Sequence, residues 1–236
     1  MRRRFAIFLL VSMTTVAALA QSTAGSQAAP AAKPAPTAII DTTAGKLNCT
    51  LFPDKAPIGV ENFIGLATGT KDWKNASGVT KHGVPLYDGT IFHRVIPNFM
   101  IQGGDPAGTG SGPDPVKPFK NETSTDLLFS QPGRLAYANA CPGTNTSQFF
   151  ITEIAFNGQQ ATILNGHYTI FGQCDDAAVE LVKQIARMAT DPSNDKPFRP
   201  VKINHITITG IGKPKPAGTT VKKPATTTPK AAPSSN

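Results

Sequence analysis

The chain has 236 residues, with 21 Gly, 21 Pro and 39% hydrophobic residues, enough for one sizeable core or two small ones, which excludes collagen, a coiled coil and a wholly disordered chain. Its net charge of +8 invites a nucleic-acid or anionic-surface reading, but the excess lies at the ends. Between Thr37 and Gly212 there are 14 Lys and Arg against 15 Asp and Glu, so the part able to fold offers no basic surface for nucleic acid.

In chain order, Met1–Arg4 are basic, Phe5 to about Ala17 are apolar, and small residues lead to Ala20. That layout predicts a signal peptide over residues 1–20, cleaved before Gln21, and hence a chain exported to a periplasmic or extracellular space. The apolar run is shorter than the roughly 20 residues that span a bilayer, so no stable membrane insertion is expected after cleavage. Residues 21–36 and 213–236 are Ala, Pro, Thr, Ser and Lys and predict a disordered linker and a disordered tail. The tail's lysines could touch an anionic envelope weakly. One domain is expected over 37–212.

Within it, Ala38–Thr42, a turn at Thr43–Gly45 and Lys46–Phe52 predict a hairpin, since Leu47, Cys49 and Leu51 alternate with Lys46, Asn48 and Thr50. Pro57 opens a helix with Val60, Phe63, Ile64 and Ala67 on one face, stopped by Gly69. Residues 70–89 are expected to be a long loop, followed by strands at 90–95 and 99–102. A second helix is expected over Asp175–Met188, and a last strand over Ile203–Thr209. Many strands and only two helices suggest a closed or strongly curved antiparallel sheet. Cys49, Cys141 and Cys174 lack C-x-x-C spacing and are each expected to be buried and free, although export permits one disulfide.

Two stretches carry the chemistry: FHRVIPNFMIQGGD (92–105) and AYANACPGTNTSQFFI (136–151). Alternation predicts Phe92, Arg94 and Ile96 on one face, leaving a cation among apolar neighbours; its bland explanation is an ion pair with a surface acid. No G-x-S-x-G elbow supports a serine nucleophile, and His82, His93, His167 and His205 lack metal-site spacing. Gly108, Gly110 and Gly112 precede no helix and read as a flexible loop rather than a phosphate cradle.

Over about Thr37–Gly212 these stretches resemble the cyclophilin family of peptidyl-prolyl isomerases. The resemblance implies a mainly β fold, a closed eight-stranded antiparallel barrel capped by two α-helices, in a monomer. It implies isomerisation of X-Pro bonds in proline-containing peptides and unfolded exported proteins, with no metal or other cofactor. It assigns Arg94 as the catalytic arginine, and Phe99, Met100, Phe150 and Leu164 as walls of a proline pocket. Gln102, Ala138, Asn139, Ala140 and Gln148 match positions that hold the peptide backbone. Tyr168 stands where many eukaryotic members have His and keeps an aromatic, polar-tipped wall for substrate binding; Ile163 stands where they have Trp, and the missing indole implies weak cyclosporin binding. The competing reading is a non-catalytic proline-peptide binding module or envelope adaptor; a donor aimed at the prolyl nitrogen favours the enzyme.

Overall fold

The structure, a computed structural model, describes residues 34–211. The expected signal peptide, most of the linker and the tail lie outside the described residues. Strand β1 (Thr37–Thr42) buries Ala38, Ile40 and Thr42, and β2 (Gly45–Leu51) buries Leu47, Cys49 and Leu51. They pair in register from Thr37↔Thr50 to Thr42↔Gly45, so the alternation seen in the sequence becomes one apolar face. Helix α1 (Pro57–Thr68) starts on proline and ends at Gly69, whose φ of 74° is a left-handed cap. Its first-turn amides have no local cap. The Glu122 carboxylate accepts from Ile58 N (3.0 Å) and Gly59 N (2.8 Å) instead, placing negative charge at the positive helix end.

The segment expected to be a loop contains a small ribbon, β3 (Trp73–Lys74) and β4 (Thr80–Lys81), with Trp73 Nε1 donating to Val84 O. The main sheet continues with β5 (Arg94–Ile96), β6 (Met100–Gly103), β7 (Arg134–Tyr137) and β8 (Phe149–Thr152). Helix α2 (Gly158–Leu164) follows, then β9 (Ile170–Cys174), α3 (Asp176–Ala186), a ribbon of β10 (Thr190–Asp191) with β11 (Lys196–Pro197), and β12 (Ile203–Thr209). Helix α3 is capped by Asp175, which accepts from Ala178 N, and turns Val179, Val182, Ile185 and Ala186 inward. The described residues therefore hold three helices rather than two. Helix α2 escapes the sequence because it is seven residues long and buries only Leu164.

The eight main strands run in the order β12-β1-β2-β9-β7-β8-β6-β5 and curl into an antiparallel half-barrel. The expectation of a closed barrel overstates it: β5 and β12 form no ladder, and the seam is stitched by an isolated Ile91↔Lys202 bridge with Phe92 N bonded to Val201 O. Residues 90–93, expected as strand, are this crossing. The core inside the curl includes Phe63, Tyr87, Phe92, Phe149 and Phe171.

The cysteine expectation is corrected. Cys49 lies opposite Cys174 in the β2–β9 register and the two form a disulfide, while Cys141 is free but exposed. Only the neighbour relation of β2 and β9 brings the pair together, and residue spacing carries no trace of it.

Candidate active site

Strands β7 and β8 are buried along their whole length, yet their residues still alternate. Leu135, Tyr137, Phe149 and Ile151 enter the barrel core, whereas Ala136 and Phe150 enter a second apolar cluster with Met100, Phe129, Phe156, Leu164 and Ile170. The outer face of the sheet is thus apolar here, covered by Phe129, Phe156 and α2 rather than by water. Phe150 stacks on Phe129 at 5.8 Å and meets Tyr168 edge-on at 5.6 Å, and Phe99 meets Phe156 at 5.7 Å. Phe129 and Phe156, which sequence reasoning did not single out, form the floor that holds the predicted walls; a lone Phe outside a recognisable strand gives no signal of this.

Sheet register aligns the polar part of the site. Arg94 is opposite Gln102, Gln102 is opposite Phe150, and Phe150 is opposite Ala136, one row across four strands. One step along, Ile96 faces Met100. Arg94 and Ile96 share the outward face as expected, but Phe92 does not join them. Phe92 is fully buried in the core and His93 is also buried, because the chain crosses the seam there and strand alternation begins only at Arg94.

Two depressions flank this face. One of about 410 Å³ is lined by Ile96, Phe99, Phe156, Ile163 and Leu164 among others. The other, of about 510 Å³, is lined by His93, Arg94, Gln102, Gly110, Asn194 and Lys196 among others. The predicted residues are thereby divided: Phe99 and Leu164 border the apolar hollow, Arg94 and Gln102 the polar one, and Met100 and Phe150 sit in the cluster beneath. Gln102 Nε2 donates to Gln148 Oε1 (3.0 Å), whose Nε2 donates to Gly110 O (3.1 Å), while Gln148 O accepts from Ala138 N. The Asn139 side chain turns inward toward Asn121, Asn145 and His167 O. Thr144 Oγ1 accepts from Ala140 N and Cys141 N. These bonds fix the 138–141 segment, whose residues Ala138, Asn139 and Ala140 line neither depression.

Two carboxylates shape the surroundings. Burial pushes the Asp105 carboxyl up, but bonds from Ala107 N, Thr109 N and Gly110 N outweigh it and hold its pKa below the ordinary value. The glycine loop is therefore organised around that side chain. Glu153, with a side chain only 1% exposed, accepts from Asn98 N (2.8 Å) and pairs with Arg187 (2.7 Å). Asn98 has a φ of 60°, so this clamp holds the turn that presents Phe99. Arg94 itself has an acid partner, since its Nε lies 3.4 Å from Asp195 Oδ2. Among the described residues, no group of three or more His, Cys, Asp or Glu is arranged to hold a metal ion.

Residues 37–208 match the family described as cyclophilin type peptidyl-prolyl cis-trans isomerase/CLD. This chain is a member of the cyclophilin family. Its curated relatives include peptidyl-prolyl cis-trans isomerase A of Mycobacterium tuberculosis, 49% identical over 73% of this chain and 91% of that protein. Peptidyl-prolyl cis-trans isomerase B of Streptomyces anulatus is 44% identical over 72% and 95%. A Cryptosporidium parvum cyclophilin type isomerase has a similar solved structure, with a TM-score of 0.61 and 34% identity over 74% of this chain and 97% of its own. The same protein solved in the presence of the dipeptide Ala-Pro gives 0.60 and 35% over 73% and 98%. The cyclophilin fold of this chain thus carries the half-barrel, the apolar cluster and the Arg94 row together.

Proposed function

We propose that this cyclophilin accelerates cis-trans rotation about X-Pro bonds in exported proteins, with Arg94 as its catalytic residue. The observation that carries the reading is the row Arg94–Gln102–Phe150, which sets a guanidinium beside an apolar cluster of ring-sized walls.

An X-Pro bond resists rotation because twisting it breaks amide resonance, across a barrier of about 18–20 kcal/mol. At the twisted state the prolyl nitrogen becomes pyramidal and regains its lone pair. A donor at that point bonds the nitrogen there and much less in the planar ground state, which is differential transition-state binding. Phe99, Met100, Phe150 and Leu164 hold the pyrrolidine ring; Gln102 and the Asn139 main chain hold the flanking peptide, so rotation is confined to one side of the bond. No covalent bond is made, and no proton has to move.

Export is supported by the leader-like pattern of residues 1–20 and by the Cys49–Cys174 disulfide, a bond typical of oxidising compartments. The Lys-rich tail gives weak contact with an anionic envelope in this reading. Magnetisation-exchange NMR on an Ala-Pro peptide tests the activity, and a wild-type chain that leaves the exchange rate unchanged ends it. A mature protein that begins at Met1 or stays in the cytosol ends the export reading. Deleting residues 213–236 removes five lysines and should weaken retention on a polyanionic column without changing turnover.

A further inference from the structure

We propose that Asp195 is a positioning residue for Arg94, a reading that rests on the catalytic role given to Arg94 above. Asp195 Oδ2 lies 3.4 Å from Arg94 Nε, and both side chains are 41% exposed. An ion pair that open to water contributes little to stability, so the pair needs another reason.

The backbone supplies one. Asp195 has a φ of 58°, in the left-handed region that glycine occupies more cheaply. Its placement is over-determined: Asp195 N donates to Asp191 O (2.9 Å), and Asp195 O accepts from Val95 N (3.0 Å). The next residue is tied down as well, with Lys196 N on Asn194 Oδ1 (3.0 Å) and Lys196 Nζ on Gly108 O (2.9 Å). The β10–β11 turn is thereby registered directly on the residue that follows Arg94, and it delivers a carboxylate where the turn alone would favour glycine.

A guanidinium presents five N–H donors in a planar fork. The Asp195 carboxylate lies 3.4 Å from Nε as an ion-pair contact rather than an aligned hydrogen bond, so it draws the guanidinium toward the β10–β11 turn by charge and leaves the terminal Nη groups for the substrate. Lys196 does not displace Arg94 from the carboxylate, since its ammonium is engaged with Gly108 O. The free enzyme thus holds the arginine near its working orientation, and the rotamer freedom that an unpaired arginine would lose on reaching the transition state is already reduced.

The test is a double-mutant cycle read by peptide exchange and thermal melting. Asp195→Gly suits the backbone, so its melting temperature should equal or exceed that of the wild type while kcat/KM falls by about threefold to fivefold, mainly in kcat. Asp195→Asn keeps an acceptor without the charge and should recover part of the loss. In the Arg94→Ala background, Asp195→Gly should change kcat/KM by less than about twofold, because nothing remains to be positioned. Equal losses in both backgrounds, or wild-type turnover in Asp195→Gly when Arg94→Ala is impaired, overturn the positioning role alone. Wild-type turnover in Arg94→Ala overturns the catalytic reading and this inference with it.

Discussion

Arg94→Ala separates chemistry from folding unusually well at this site. The side chain is 41% exposed and its acid partner equally so, so removing it should change stability by no more than about 1 kcal/mol. The catalytic loss should be far larger. A hydrogen bond from a charged donor contributes about 1.5–3 kcal/mol, and losing about 2.7 kcal/mol of it corresponds to roughly a 100-fold drop in kcat/KM at 1.36 kcal/mol per tenfold. A 10⁵-fold acceleration would need roughly 7 kcal/mol, so the pocket alone should keep a measurable residual rate. Arg94→Lys should not restore activity, because an ammonium on a flexible stem cannot reproduce the planar fork. Line-shape or exchange NMR on a short X-Pro peptide measures the rate at equilibrium, and circular dichroism checks the fold. Turnover near that of the wild type in Arg94→Ala, with an unchanged spectrum, would refute the mechanism.

Replacing Cys49 and Cys174 with Ala should lower unfolding stability by about 2–5 kcal/mol, since the bond closes a loop with a sequence separation of 125; an unchanged urea midpoint would contradict this. His93 is buried with no well-aligned hydrogen bond to either ring nitrogen among the described residues, and burial lowers its pKa from 6.5 against the opposing pull of Asp105 and of the nearby Gln148 side chain. The unfolded chain therefore takes up the proton first, so stability should be lost as pH falls below about 6.5 toward the depressed value. Urea titrations of the wild type and His93→Gln at about pH 7.5 and about pH 5 should show a smaller acid loss in the variant. Cyclosporin should inhibit weakly, and Ile163→Trp should tighten it. Ile163 is 61% exposed on the rim beside Leu164 and offers no donor, and an unmet acceptor in a bound ligand costs about 1–3 kcal/mol. Nanomolar inhibition of the wild type would contradict this.

The hairpin and α1 were legible because each has one wet face and one dry one, so period two at Leu47, Cys49 and Leu51, and period 3.6 at Val60, Phe63 and Ala67, reach the sequence. Strands β7 and β8 were not, because both of their faces meet apolar clusters and the alternation has no polar phase. The site divides along the same line. Arg94, Phe99, Met100 and Gln102 lie within one contiguous motif, and the motif is enough to find them. Asp195 and Glu153 act on that motif from distant strands and turns, through contacts that only the order of the strands and the docking of the β10–β11 turn on β5 create. The two cysteines that pair, Cys49 and Cys174, share that dependence on register.

Cys141 gives the chain a chemical address of its own. The other two thiols are consumed in a buried bond, so one exposed sulfur stands beside the main-chain groups at Asn139 and Ala140. A maleimide dye or spin label should attach there alone in the folded protein, without reductant and without engineering. The same sulfur is a hazard during storage in air, where two copies can couple through it. A dilute phosphine should release such dimers while the shielded internal bond stays intact.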